Sequence, residues 1–169
     1  MLLARKLENR RVLLRWLAVV LWAVFIFFMS SRDATQLSEG FFEQAKQLLA
    51  AVLNALFGYH EDPVSPFCHF CEYTVLGALL ANALRAHVRS LRTACLVAIA
   101  IASAYGITDE IHQLFVPGRF CDPADWVVDT CGAALGALVL CLVVRFRHGA
   151  SCDRGRQGTH DAALGSELR

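Results

Sequence analysis

Residues 106–130, "GITDEIHQLFVPGRFCDPADWVVDT", put Asp109, Glu110, His112, Arg119, Asp122, Asp125 and Asp129 into one stretch of an otherwise apolar chain. Groups of these types could do three kinds of chemistry. As a recognition site, Arg119 would grip a phosphate or carboxylate through two parallel hydrogen bonds, while Glu110 or Asp125 would accept an amine or hydroxyls. As an acid–base centre, two carboxylates in different surroundings would divide the work, with Glu110 or Asp129 as acid or base and His69 as proton shuttle. As a metal site, His69, Glu72, Asp109 and His112 offer suitable atoms, but no second ligand motif accompanies them, so neither a metal nor a cofactor is assigned. The chain has no GxSxG, no HExxH and no phosphate loop, so the enzyme reading rests on proximity alone. Each residue taken singly also reads as structural: an ion pair locking a loop, a hydrogen-bonded buried histidine, or a carboxylate resting in headgroups.

The elements that would carry these residues follow from hydropathy. The 169 residues fit one domain. They are 56% hydrophobic and only 18% charged, with a mean hydropathy of +0.46. A bilayer core of about 30 Å needs roughly 17–25 helical residues to cross it, and four runs qualify, at about 13–30, 66–84, 93–109 and 125–144. The expected fold is therefore all-α, an integral membrane four-helix bundle. Arg5, Lys6, Arg10, Arg11 and Arg15 precede the first run, Arg85, Arg89 and Arg92 join the second and third, and Arg145 and Arg147 follow the fourth. The other two links are acidic, with Asp33, Glu39, Glu43, Glu61 and Asp62 in the first of them. By the positive-inside rule both termini are cytoplasmic. A basic start and a short apolar run also suit a secretory signal, but "FMSSRDA" offers no small-x-small cleavage site, so the first run is read as an anchor.

Residues 41–57, "FFEQAKQLLAAVLNALF", are apolar at 41, 42, 45, 48, 49, 52, 53, 56 and 57, with Glu43, Gln44, Lys46, Gln47 and Asn54 opposite. This helical period with a polar stripe predicts an amphipathic helix at the outer interface. Residues 1–12 form a basic cytoplasmic start, 13–144 the membrane domain, and 145–169 a Gly-, Ser- and charge-rich tail expected to be disordered. Seven cysteines, mostly within apolar runs, argue against a secreted disulfide framework. Cys68 and Cys71 would bridge only awkwardly within one helix. Gly132 and Gly136 form a GxxxG motif, for which close packing inside the bundle is favoured over oligomerisation. No basic face with interleaved aromatics suggests nucleic acid. A transport path is disfavoured by the absence of a repeat and of polar lining in the inner halves.

With that orientation the polar residues converge on one membrane depth. Ser30 and Ser31 end the first span, and His69, Glu72 and Tyr73 lie in the first turns of the second, on one helix face. Asp109, Glu110, His112 and Gln113 end the third, Arg119 sits in the following loop, and Asp125 and Asp129 open the fourth. Charged groups inside a span cost about 2.5–3.5 kcal/mol each at its centre and normally face a partner or a wet cavity. Four segments delivering such groups to one place predict a polar cavity open to the outside. Trp126, Tyr73 and Tyr105 would ring it at the lipid boundary.

The pattern "SS" after the first span, "HFCEY" opening the second, "DEIHQLFVPGR" closing the third and "DWVVDTCGAALG" opening the fourth resembles the VanZ-like family, from about residue 16 to residue 142. The family usually has Asn where this chain has Asp129, which adds a carboxylate here. The resemblance implies a multi-pass bacterial cell-membrane protein acting at the outer face, related to an accessory protein of glycopeptide-resistance clusters that lowers susceptibility to teicoplanin. Its candidate ligand-binding residues are Ser31, His69, Glu72, Tyr73, Asp109, Glu110, Gln113, Arg119, Asp125 and Asp129. The expected partners are membrane lipids and either a lipidated glycopeptide or a lipid-linked wall precursor. A membrane-embedded enzyme acting on such a lipid is the alternative.

Overall fold

A computed structural model describes residues 2–31, 41–59, 63–117, 119 and 121–167. Asp33, Glu39, Glu61 and Asp62, which contributed to the orientation, lie outside them. The described residues are all helical in their regular structure, with no strand: α1 Leu2–Ser30, α2 Phe41–Phe57, α3 Val64–Leu84, α4 Leu91–Gln113 and α5 Pro123–Glu167. Four of these, α1, α3, α4 and α5, are long and apolar enough to cross a membrane.

Element ends differ from the sequence reading where helix-forming residues continue past an apolar run. α1 is helical from Leu2, because Leu, Ala, Arg, Lys and Glu are all good helix formers. α4 runs a full turn past 109 to Gln113, which brings Glu110, His112 and Gln113 into the helix. The backbone of α5 stays helical to Glu167 with no proline to interrupt it, while its apolar part, long enough to cross a membrane, ends at Arg147, close to the boundary expected near 144. α2 ends at Gly58, whose φ of +93° is the left-handed conformation of a helix C-terminal stop and whose N–H donates to Asn54 O at 3.1 Å. α5 starts on Asp122, whose Oδ1 accepts from Ala124 N at 2.8 Å, followed by Pro123 at the first helical position.

α3, α4 and α5 pack pairwise, and α1 leans on α3 and α4 without packing on α5. Small residues set the close approach. A Cβ at Gly132 would lie 2.5 Å from Phe70 O, and Cβ atoms at Gly136 and Gly77 would run into the backbones of Thr74 and Ala133. The GxxxG motif is thus the α3–α5 seam. Ala94, Ala98 and Ala102 on α4 and Ala133 and Ala137 on α5 line the same interior. α1 is tied in by Trp22 Nε1 donating to Glu72 O at 2.9 Å and Tyr105 Oη donating to Ala23 O at 2.7 Å.

The outward faces are apolar: Leu13, Leu17, Leu21, Val24 and Phe28 on α1, Leu96 and Ile101 on α4, and Val127 and Leu138 on α5 are all exposed. Among the described residues α2 touches α3 alone; its Leu53 is buried, while Leu48, Val52 and Leu56 are exposed one turn apart. Such faces match a lipid surround.

Candidate functional site

Three buried stripes, built of small residues on α4 and α5 and of leucines and Tyr73 around Gly77 on α3, each end, on the same side of the bundle, in polar side chains. On α3 the buried stripe through Leu80, Gly77, Leu76 and Tyr73 finishes at His69; on α4 that through Ala98, Ala102 and Gly106 finishes at Asp109, Glu110 and Gln113. On α5 the stripe of Ala137, Ala133 and Gly132 finishes at Asp129. Small residues below draw the backbones together, so the larger groups above meet.

They are deeply buried: Asp129 is 0% exposed, Asp109 3%, Glu110 4% and His69 5%. His69 Nδ1 lies 3.2 Å from Asp129 Oδ1, joining α3 to α5. One donor atom from each of His69, Glu110 and Asp129 falls within 4.8 Å of the others. Glu110 Oε2 accepts the backbone N–H of Asp122 at 2.8 Å, which ties the start of α5 to the end of α4. Gly106 gives Asp129 its room, since a Cβ there would stand 3.2 Å from Asp129 Oδ2.

Several polar atoms buried at this end have no hydrogen-bond partner among the described residues: Ser30 Oγ, Tyr73 Oη, both oxygens of Asp109, Glu110 Oε1, Gln113 Nε2, Arg119 Nε and Asp129 Oδ2. Native interiors leave few such atoms unsatisfied, so their concentration here is notable.

The remaining candidates lie around this centre. Glu72 is half-buried, one step round the helix from the stripe that carries His69 and Tyr73. Arg119 is half-buried, and its Nη1 reaches Ser65 Oγ at a long 3.5 Å. Asp125 is half-buried one turn before Asp129. Ser31 is exposed; its hydroxyl donates to Phe27 O at 2.6 Å and stands 2.9 Å from His112 Nε2. With the hydroxyl proton directed to Phe27, His112 is the donor in that second contact. His112 also stacks on Phe27 at a centroid distance of 4.4 Å.

His112 therefore belongs to the α1–α4 contact rather than to the centre, and Glu72 is not among the three converging donors. Of the four metal-ligand candidates read from the sequence, His69 alone is in the convergent trio, and Glu110 and Asp129 complete it. Sequence reasoning also missed Gly106, whose signal was its place one turn before Asp109; it placed Ser30 at the converging depth but chose the adjacent Ser31 as the ligand candidate. Trp126 Nε1 donates to Ser103 O at 3.2 Å and Ser103 Oγ at 3.1 Å, which fixes the ring on α4 beside the site.

A family model described as VanZ/LLP1 matches residues 15–144. The match covers most of the chain and all four helices that carry the site, and the chain belongs to that family. No curated protein and no solved structure matches it.

Proposed function

We propose that this VanZ/LLP1 protein works in a bacterial cell membrane with both termini cytoplasmic, and that its acidic end engages the polar head of a cell-envelope amphiphile at the outer leaflet. The observation that carries this reading is the set of buried polar atoms, contributed by α1, α3, α4, α5 and Arg119, that have no hydrogen-bond partner among the described residues. A head group rich in hydroxyls, amines and phosphate or carboxylate would satisfy donors such as Gln113 and Arg119 and acceptors such as Asp109 and Glu110 together. The lipid-exposed faces beside the site would accommodate acyl chains. A lipidated glycopeptide and a lipid-linked wall precursor share that chemistry, and altered access to either lowers susceptibility to glycopeptides such as teicoplanin.

The His69–Asp129 contact favours a second reading. A histidine oriented by a carboxylate, with Glu110 within reach, is a competent acid–base group, so the same site would then modify the lipid rather than hold it.

The test is teicoplanin susceptibility of a sensitive host expressing the wild type, Asp109→Asn or Arg119→Ala at matched membrane abundance. Asp109→Asn keeps the volume and replaces a carboxylate whose oxygens have no hydrogen-bond partner among the described residues. The expected result is protection by the wild type and loss of protection in both variants. Equal protection by all three removes these residues from the function, and no protection by the wild type ends the glycopeptide reading. Turnover of a labelled lipid-linked precursor by the wild type, lost in His69→Gln, would move the assignment from binder to enzyme.

A further inference from the structure

We infer that His69, Glu110 and Asp129 form a binding site for one divalent transition-metal ion of the zinc class, with at least one coordination position left for water or a ligand oxygen. The three side chains come from three different helices, are all buried, and bring one donor atom each within 4.8 Å of the others. Four-coordinate zinc holds nitrogen and oxygen donors at about 2.0–2.2 Å, which sets neighbouring donors roughly 3.3–3.5 Å apart. The His69–Asp129 separation of 3.2 Å already meets this spacing. The remaining separations lie within 4.8 Å and would have to shorten on binding an ion.

A second observation comes from the atoms around the trio. Asp129 Oδ2, Glu110 Oε1 and both oxygens of Asp109 are buried and accept no hydrogen bond from the described residues. Asp109 lies within electrostatic reach of both His69 and Asp129. Three carboxylates therefore share this interior with the imidazole of His69, while Arg119 stands half-buried at the side with Nη1 toward Ser65. Ionised carboxylates buried without compensation are costly. A divalent cation offsets two negative charges at the point where their free lone pairs lie.

The surroundings suit that role. Glu110 Oε2 accepts from Asp122 N at 2.8 Å, a hydrogen bond of the kind that orients a metal-ligating carboxylate. Three protein ligands from nitrogen and carboxylate donors leave a fourth position open, as in zinc sites that act on a bound water or substrate. At this end of the bundle that position would meet a phosphate or hydroxyl of a head group.

The inference rests on the reading of the acidic end as a ligand site, and its test is run without any amphiphile, so the two fail separately. The full-length chain, purified in detergent and stripped with chelator, is titrated with zinc by calorimetry and with cobalt(II) by visible absorption. The expected result is one equivalent of either metal per chain, with His69→Gln and Asp129→Asn each weakening binding by at least about tenfold. His112→Gln, at the same end but bonded to Ser31, leaves affinity unchanged. X-ray absorption of the wild-type zinc complex reads the donors independently of any variant, and nitrogen and oxygen neighbours alone are expected. Absence of saturable binding overturns the proposal. So do unchanged affinity in both ligand variants and sulfur donors at the zinc, which would place the ion at Cys68 and Cys71 instead.

Discussion

The two ends of the bundle carry comparable amounts of charge and handle it in opposite ways. At the basic end, Arg11, Arg15, Arg85 and Arg89 with Glu8 line a cavity of about 730 Å3 between the start of α1, the α3–α4 turn and Val144. Arg85 also borders a second cavity of about 430 Å3 with Asn82 and Arg147. Arg11 and Arg89 are exposed, and Arg15 Nη1 reaches Asn82 O at 3.5 Å. Burial, then the neighbouring Arg15 and Arg147, hold the Arg85 guanidinium below its ordinary value. At the acidic end, Asp109, Glu110 and Asp129 stand inside the packed stripes. Side-chain length explains the difference. An exposed arginine such as Arg11 or Arg89 lays its aliphatic stem along the helices and keeps its head in water, while Arg85, half-buried with its Nε buried, draws part of its head in. An aspartate one turn above Gly132 and Ala133 has no stem with which to leave. Solvated charge orients a membrane protein, whereas charge held in the interior is retained for a ligand or a partner.

The seam between the two ends sets the scale for this comparison, and the largest effect is expected there. In Gly136→Val the new side chain meets the backbone of Thr74 and Ala78, which cannot rotate away. Loss of stability at or above the upper end of the usual overpacking range, about 1–3 kcal/mol, is expected, with little monodisperse protein surviving mild heating in detergent. Leu138→Ala on the exposed face of the same helix is the control and is expected to leave the melt nearly unchanged. A seam that tolerates valine would mean that α3 and α5 are not held as described, and the burial of Asp129 would lose its basis.

The next effect separates the acidic end from the seam. His69→Ala removes the side chain whose Nδ1 lies 3.2 Å from Asp129 Oδ1 and leaves a buried carboxylate without it. Breaking one side of a buried pair costs about 3 kcal/mol or more, read as a lowered melting point. Adding Asp129→Ala removes the stranded group, so the double variant is expected to be more stable than the sum of the two single losses implies. Strict additivity would show that the two residues are independent, and the cluster would reduce to separately tolerated polar groups.

How far this division could be read from the sequence depends on helix geometry. The four spans, the α2 amphipathic helix and the polar depth common to α1, α3, α4 and α5 were legible, because hydropathy and charge report them directly. Which side chains meet was only partly so. Along a helix each residue turns about 100°, so Tyr73 stays near the line of His69 while Glu72 falls about 60° to the other side, half-buried. On α4 the interior is reached by Gly106, Asp109, Glu110 and Gln113, and His112 points away toward α1. The sequence grouped His112 with Asp109 and Gln113 because i, i+3 and i+4 are neighbours, but it could not tell which edge of that group faced inward. That is decided by the alanine stripe below, at positions 94, 98 and 102. The His69–Asp129 contact crosses 60 residues and two helices, and no local period reports it.

The smallest effect is expected at the basic end. Arg89 is exposed and lines the 730 Å3 cavity, where water reaches its head group. Arg89→Ala should change stability by no more than about 0.5 kcal/mol, the usual range for a surface substitution without a special role. Its melting curve in detergent should therefore overlay that of the wild type, while His69→Ala, one residue changed at the other end, shifts clearly. A loss from Arg89→Ala as large as that from His69→Ala would break the comparison. The basic end would then hold its charges in a network as structural as the acidic cluster, and side-chain length would not be what separates the two ends. An overlaid curve sharpens it, because substituting an arginine with a long stem in an open cavity would be nearly silent while removal of a short-stemmed group above the alanine stripes is not.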